Sequence, residues 1–115
     1  MNEAAPTLIE EASPHPPARN AAVQRCCAAR ERSRQDSRIK KLDNFHTRER
    51  SDEAYRAAMP DLSGYENIRD FIACISHGML TGDIHAIEGP KFLYAAQVAL
   101  GALRHEPKEP KKPAA

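Results

Sequence analysis

Apolar residues are spaced very differently in the two halves of this 115-residue chain. Beyond Pro60, the residues Ile68, Phe71, Ile72, Ile75, Met79 and Leu80 recur at i, i+3, i+4, i+7, i+11 and i+12. That period predicts an amphipathic helix over about 65–80. Ser63-Gly64-Tyr65-Glu66 has the spacing of a capping box ahead of it, and Gly82 is placed to stop it. After a loop from Thr81 to Glu88, Gly89-Pro90 sets a proline in the first turn of a second helix, where its missing amide is not needed. Phe92, Leu93, Ala96, Ala99, Leu100 and Leu103 give that helix, over about 90–104, one apolar face, and Ala95, Val98 and Ala102 widen it. Arg104 and His105 suit its negative end. Together the two segments predict a helical hairpin.

Upstream the pattern is weaker. Ala18 to Ala58 contains no Gly or Pro and is rich in Ala, Arg, Glu and Lys, so helix propensity is high. Val23, Cys26 and Cys27 cluster, Arg30 to Arg38 offers nothing apolar, and Ile39, Leu42 and Phe45 drift around the helix at a spacing of three. Tyr55, Ala58 and Met59 form a last patch. A helix polar almost all round is exposed, bound to something polar, or partly formed. The expectation is a basic, partly exposed helical arm over about 18–58, broken near Asp43-Asn44. Seven of the nine prolines lie before residue 18 or after residue 106, which opposes helix in either flank. The chain is therefore read as all-α in one domain: a disordered leader (1–17), the basic arm (18–59), the hairpin domain (60–105) and a disordered Pro/Lys tail (106–115).

Composition bounds the function. About ninety residues with no Trp, three Phe and three Tyr make a marginal core, so modest stability or help from a partner is expected. Three cysteines, two of them adjacent, are not a disulfide framework. The N-terminus lacks the basic and apolar regions of a secretory signal, and no apolar run is long enough to span a membrane. The expected location is the cytoplasm, with no membrane partner.

Net charge is +1 but unevenly distributed: residues 19–56 carry eleven Lys/Arg against six Asp/Glu. Arg25, Arg30, Arg32, Arg34, Arg38, Lys40 and Lys41 could neutralise successive phosphates on a nucleic acid. The hairpin is a poor sequence reader, because its second helix offers few side chains to reach base edges. Non-specific nucleic-acid contact through the arm is the alternative function.

Catalytic chemistry finds little support. There is no Gly-rich phosphate loop and no serine in a nucleophile turn. Glu66 and Asp70 are like charges one helical turn apart, and Cys26 beside Arg25 is common in a basic segment. The reading is non-enzymatic, with no cofactor and no small-molecule substrate. Cys74 and His77 sit at i, i+3, and with Cys26, Cys27 or His46 they would make a small zinc site. Adjacent Cys26-Cys27 is not a close-spaced ligand pair, so zinc ranks third and no metal residues are assigned.

The helix after Pro90 is apolar beyond one stripe, and Ala95, Ala96, Ala99, Gly101 and Ala102 admit a close neighbour. A helix apolar on most sides calls for burial on most sides. The favoured function is protein–protein interaction or self-association, as a homo-oligomer. Its core or interface residues would be Ile68, Phe71, Ile72, Ile75, Met79, Phe92, Leu93, Ala96, Leu100 and Leu103.

Gly82-Asp83-Ile84 followed by Phe92-Leu93-Tyr94-Ala95-Ala96-Gln97-Val98-Ala99, with Ser63 to Ile72 before them, resembles a C-terminal helical module of small uncharacterised bacterial proteins. In those a Gly-x-Ile turn precedes a helix with a Leu-Leu-Tyr-Ala-x-Gln-x-Ala-like motif. The resemblance spans about residues 60–104 and implies a shared helical module; it carries no activity, and it leaves the basic segment outside.

Overall fold

The computed structural model describes residues 20–105, and the expectations for the leader and the tail lie outside them. Four helices follow in order: α1 (Ala21–Ile39), α2 (Asn44–Ala57), α3 (Gly64–Thr81) and α4 (Gly89–Arg104). Among the described residues the fold is all-α, with the hairpin formed by α3 and α4.

The basic stretch is two helices broken at residues 40–43, where the sequence suggested. Asn20 caps α1: its side-chain oxygen accepts from the amides of Ala22 at 2.8 Å and Val23 at 3.1 Å. At the other end the Lys41 amide donates to the Arg38 carbonyl and the Leu42 amide to the Ser37 carbonyl. That is the Schellman pattern, but its left-handed residue is Lys41, at φ 60°, rather than glycine. Asp43 then caps α2 by accepting from the His46 amide at 2.7 Å. The turn folds α2 back along α1, and Ser37 and Ser51, both fully buried, let the two helices approach closely. Arg50 reaches across to Asp36 at 3.1 Å.

These helices do more than project. Ala22, Val23 and Cys26 of α1 and Tyr55 of α2 join Ile68, Phe71, Cys74 and Ile75 of α3, Ile84 of the following loop and Ala96 of α4 in one core. Helix α3 supplies four of these ten and lies between α1 on one side and α4 on the other. Two polar links tie the first two helices to α3: Asn20 Nδ2 donates to Asp70 at 3.1 Å, and the buried Tyr55 hydroxyl donates to the Cys74 carbonyl at 2.7 Å. At Gly78 a Cβ would come within 2.8 Å of Ile84 and 3.0 Å of Tyr55. The missing side chain is what lets the loop and α2 close over α3.

Two details of the hairpin differ from expectation. The Ser63 hydroxyl makes no capping bond to α3, because the chain enters through Gly64 at φ 81°. Its neighbour is the Asn67 amide instead. Leu80 is 83% exposed: twelve residues of helix rotate it about 120° away from Ile68, whereas an i+11 residue returns to nearly the same face. Gly82 does end the helix in a left-handed conformation, and Pro90 occupies the first turn of α4.

Candidate functional site

Among the described residues helix α4 is covered on one side only. Ala96 is fully buried against α3, with Phe92, Leu93, Ala99, Leu100 and Leu103 packed around it. Tyr94 and Val98 lie about 160° around the helix from Ala96 and are 68% and 52% exposed. Ala95 and Ala102 are exposed beside them. Among the described residues nothing packs over this outer face. Of the interface or core residues expected from the sequence, Ile68, Phe71, Ile75 and Ala96 are buried. Ile72, Met79, Phe92, Leu93, Leu100 and Leu103 are half-buried on the inner side. The outer stripe of Tyr94, Ala95, Val98 and Ala102 is a separate surface.

Gly101 belongs to that surface. A glycine inside a helix costs about 1 kcal/mol relative to alanine, and a Cβ there would meet nothing within 4 Å. Packing among the described residues gives no reason for a glycine at that position.

A second concentration of chemistry lies where α1 and α2 meet the loop after α3. Asp83 is 3% exposed and receives Arg30 Nη1 at 2.7 Å and the Thr81 hydroxyl at 2.7 Å, both on Oδ2. Arg30 Nε is buried with no acceptor among the described residues. Asp52 stands beside this pair. Burial first, then its hydrogen bond and charge interaction with Asp83, push the Asp52 carboxyl above its ordinary range. A cleft of about 420 Å³ opens in front, with Arg48, Arg56 and His85 facing Glu49, Asp52 and Glu88. Its lining carries charges of both signs, so it focuses no field for one class of ion. A displaced carboxyl in a cleft can signal acid–base chemistry, but ion-pair networks displace carboxyls as well. Here burial, followed by the contact with Asp83, accounts for the shift.

The third feature is a pair of thiols. Cys26 and Cys74 are fully buried, with Sγ atoms 3.6 Å apart, while Cys27 is half-buried. Cys74 thus turns to Cys26 rather than to a ligand set with His77. Among the described residues no three His, Cys, Asp or Glu side chains converge as a metal would need.

The basic residues are not gathered on one face. Arg25 and Arg32, seven apart, share a side of α1, and Arg34 lies about 180° from Arg25. Arg30 is held by Asp83, and Lys40 sits 3.2 Å from Asp36. Arg25, Arg32, Arg38 and Lys41 remain exposed, and Arg34 is half-buried. No helix among the described residues is long and apolar enough to cross a membrane.

Compared with protein-family models, with curated proteins and with solved structures, the chain finds no match. Its functional reading rests on the geometry.

Sequence reasoning passed over Asp83, which was seen only as the middle of a Gly-x-Ile turn. The available signal was an acidic residue between Gly82 and the apolar Ile84, in a loop short enough to hold it against the core. The Cys26–Cys74 contact had no local signal, because it joins residues 48 apart.

Proposed function

We propose that this chain is a non-enzymatic self-association module that pairs through the outer face of α4 with the same face of a second copy. The observation that carries the reading is that Tyr94 and Val98 are exposed on the side of α4 turned away from its own core. A two-fold contact requires a surface that complements itself, and this one does. An antiparallel pairing centred on Val98 sets Tyr94 against Ala102 and Ala95 against Gly101. Tyr94, the largest side chain of the face, then meets a small one, Val98 meets its own counterpart, and Gly101 leaves room for a neighbouring helix.

In that register Lys91 falls opposite the C-terminal end of the other α4, where the helix dipole favours a cation but Arg104 already stands, so charge does not set the pairing. A net charge of +1 adds little repulsion between copies. The reading places the chain in the cytoplasm, in keeping with an odd cysteine count.

A contact through one helix of sixteen residues is smaller than the roughly 800 Å² per partner of standard stable complexes. The dimer is therefore expected to be reversible, with a Kd of about micromolar order. Sedimentation equilibrium on the full chain tests this. Wild type should pass from monomer to dimer with concentration, while Val98→Glu should stay monomeric with unchanged helicity. A monomer at every concentration, or a dimer that survives both Val98→Glu and Gly101→Leu, overturns the proposal.

A further inference from the structure

The buried thiols of Cys26 and Cys74 are not used by the self-association reading, and their placement has a chemistry of its own. They belong to different helices, α1 and α3, at the centre of the core. Both are fully buried, and their Sγ atoms lie 3.6 Å apart. A disulfide needs about 2.05 Å, so the remaining gap of about 1.5 Å is within reach of modest side-chain rotation. We propose that Cys26 and Cys74 form a disulfide when the protein meets hydrogen peroxide, and that this bond locks α1 onto α3.

The step balances without a further reactant. The Cys74 thiolate attacks one oxygen of the peroxide and breaks the O–O bond. This gives a sulfenic acid on Cys74, and the departing hydroxide takes up the proton that Cys74 released, forming water. The Cys26 sulfur then attacks the Cys74 sulfur, the S–O bond breaks, and the hydroxide leaves with the Cys26 proton as a second water. Two thiols are oxidised to one disulfide, and one peroxide is reduced to two waters.

The contact between the two sulfurs supplies the resolving step, since whichever is oxidised first has the other 3.6 Å away. The thiol contact draws the Cys74 thiol below its ordinary range against burial and Asp70, with Arg25 acting in the same sense, and the same contact, followed by burial, pushes Cys26 up. The reaction balances equally with Cys26 oxidised first. Cys27, on the next residue of α1, is raised chiefly by burial and is not held against either sulfur in the way Cys26 and Cys74 hold each other.

The linkage would close a loop of 48 residues, and long closures restrict the unfolded chain strongly. Oxidation is therefore expected to raise the thermal midpoint by about 10 °C or more.

The experiment uses the full chain, reduced and then treated with hydrogen peroxide. Remaining thiols are alkylated, and the protein is analysed by intact mass, peptide mapping and thermal melting. Expected are a loss of two hydrogens, a Cys26–Cys74 cross-linked peptide, and a raised midpoint that returns on reduction. Cys27→Ser should behave the same, and Cys74→Ser should lose both mass change and shift. Should Cys74→Ser fold poorly, Cys26→Ala should likewise lose the cross-link and the raised midpoint. Absence of the cross-link in wild type, a cross-link through Cys27, or covalent dimers as the main product overturns the proposal.

Discussion

Removal of the Asp83 carboxylate is the sharpest test of how this fold is held. Asp83 is 3% exposed, and the Arg30 side chain is 19% exposed. Asp83→Ala would leave the guanidinium inside the protein with neither its counter-charge nor Thr81 ordered around it. Breaking one side of a buried pair costs about 3–5 kcal/mol. Arg30 keeps some contact with water and Asp52 is relieved of a like charge, so the lower end applies, about 3 kcal/mol. For a domain of this size that corresponds to a midpoint lower by about 12–24 °C.

The pair is not an optimal one. A single guanidinium nitrogen reaches Asp83, and Nε finds no acceptor among the described residues. Replacing both charges by apolar groups should then recover stability. The double variant Arg30→Met/Asp83→Ala is expected to be more stable than Asp83→Ala alone, with a coupling of about 1.5–3 kcal/mol. Urea unfolding followed by circular dichroism measures all four corners of the cycle. Additive losses, or an Asp83→Ala variant within 1 kcal/mol of wild type, about the size of an exposed ion pair, would refute the reasoning.

Two other positions should give stabilising substitutions, opposite in sign to Asp83→Ala. Lys41 holds a left-handed conformation that costs a side-chain-bearing residue about 1–2 kcal/mol, so Lys41→Gly should stabilise by about 0.5–1 kcal/mol in the same urea assay. Asp52 has a folded-state pKa above its unfolded value. The folded state then binds more protons, and stability falls as pH rises from the unfolded pKa of about 3.9 through the folded one. Asp52→Asn, which can still donate to Asp83, should raise the midpoint at pH 7, and the gain should vanish below that window; an equal gain at all pH values would contradict the assignment.

The hairpin was legible because α3 and α4 carry their own local signals: a stripe from Ile68 to Met79, Gly82 as terminator and Pro90 as initiator. Leu80 was misplaced by counting i+12 as the same face. The first half was harder for a physical reason. Its core contacts are made by Ala22, Val23, Cys26 and Tyr55, four residues scattered over two helices whose remaining faces are charged. The close approach of those helices depends on Ser37 and Ser51, which read as polar surface in sequence. The basic run also concealed a division of labour, since Arg30 serves a buried pair while Arg25 and Arg32 face solvent. A nucleic-acid test that neutralised Arg30 with its neighbours would confuse lost binding with lost folding; Arg25, Arg32, Arg38 and Lys41 are the positions to change.

Among the described residues, the side-chain ties that reach α3 and the loop after it come from the first two helices. Asn20 to Asp70, Cys26 to Cys74, Tyr55 to the Cys74 carbonyl and Arg30 to Asp83 all link the first two helices to α3 or to the loop that follows it. Helix α4 has no such tie among the hydrogen bonds and ion pairs of the described residues, and it rests on α3 through apolar contact with Ala96 and its neighbours. Its outer face can therefore be altered without disturbing any of those bonds. This is why Val98→Glu separates association from folding, whereas a substitution on the α1 side of α3 would change both at once.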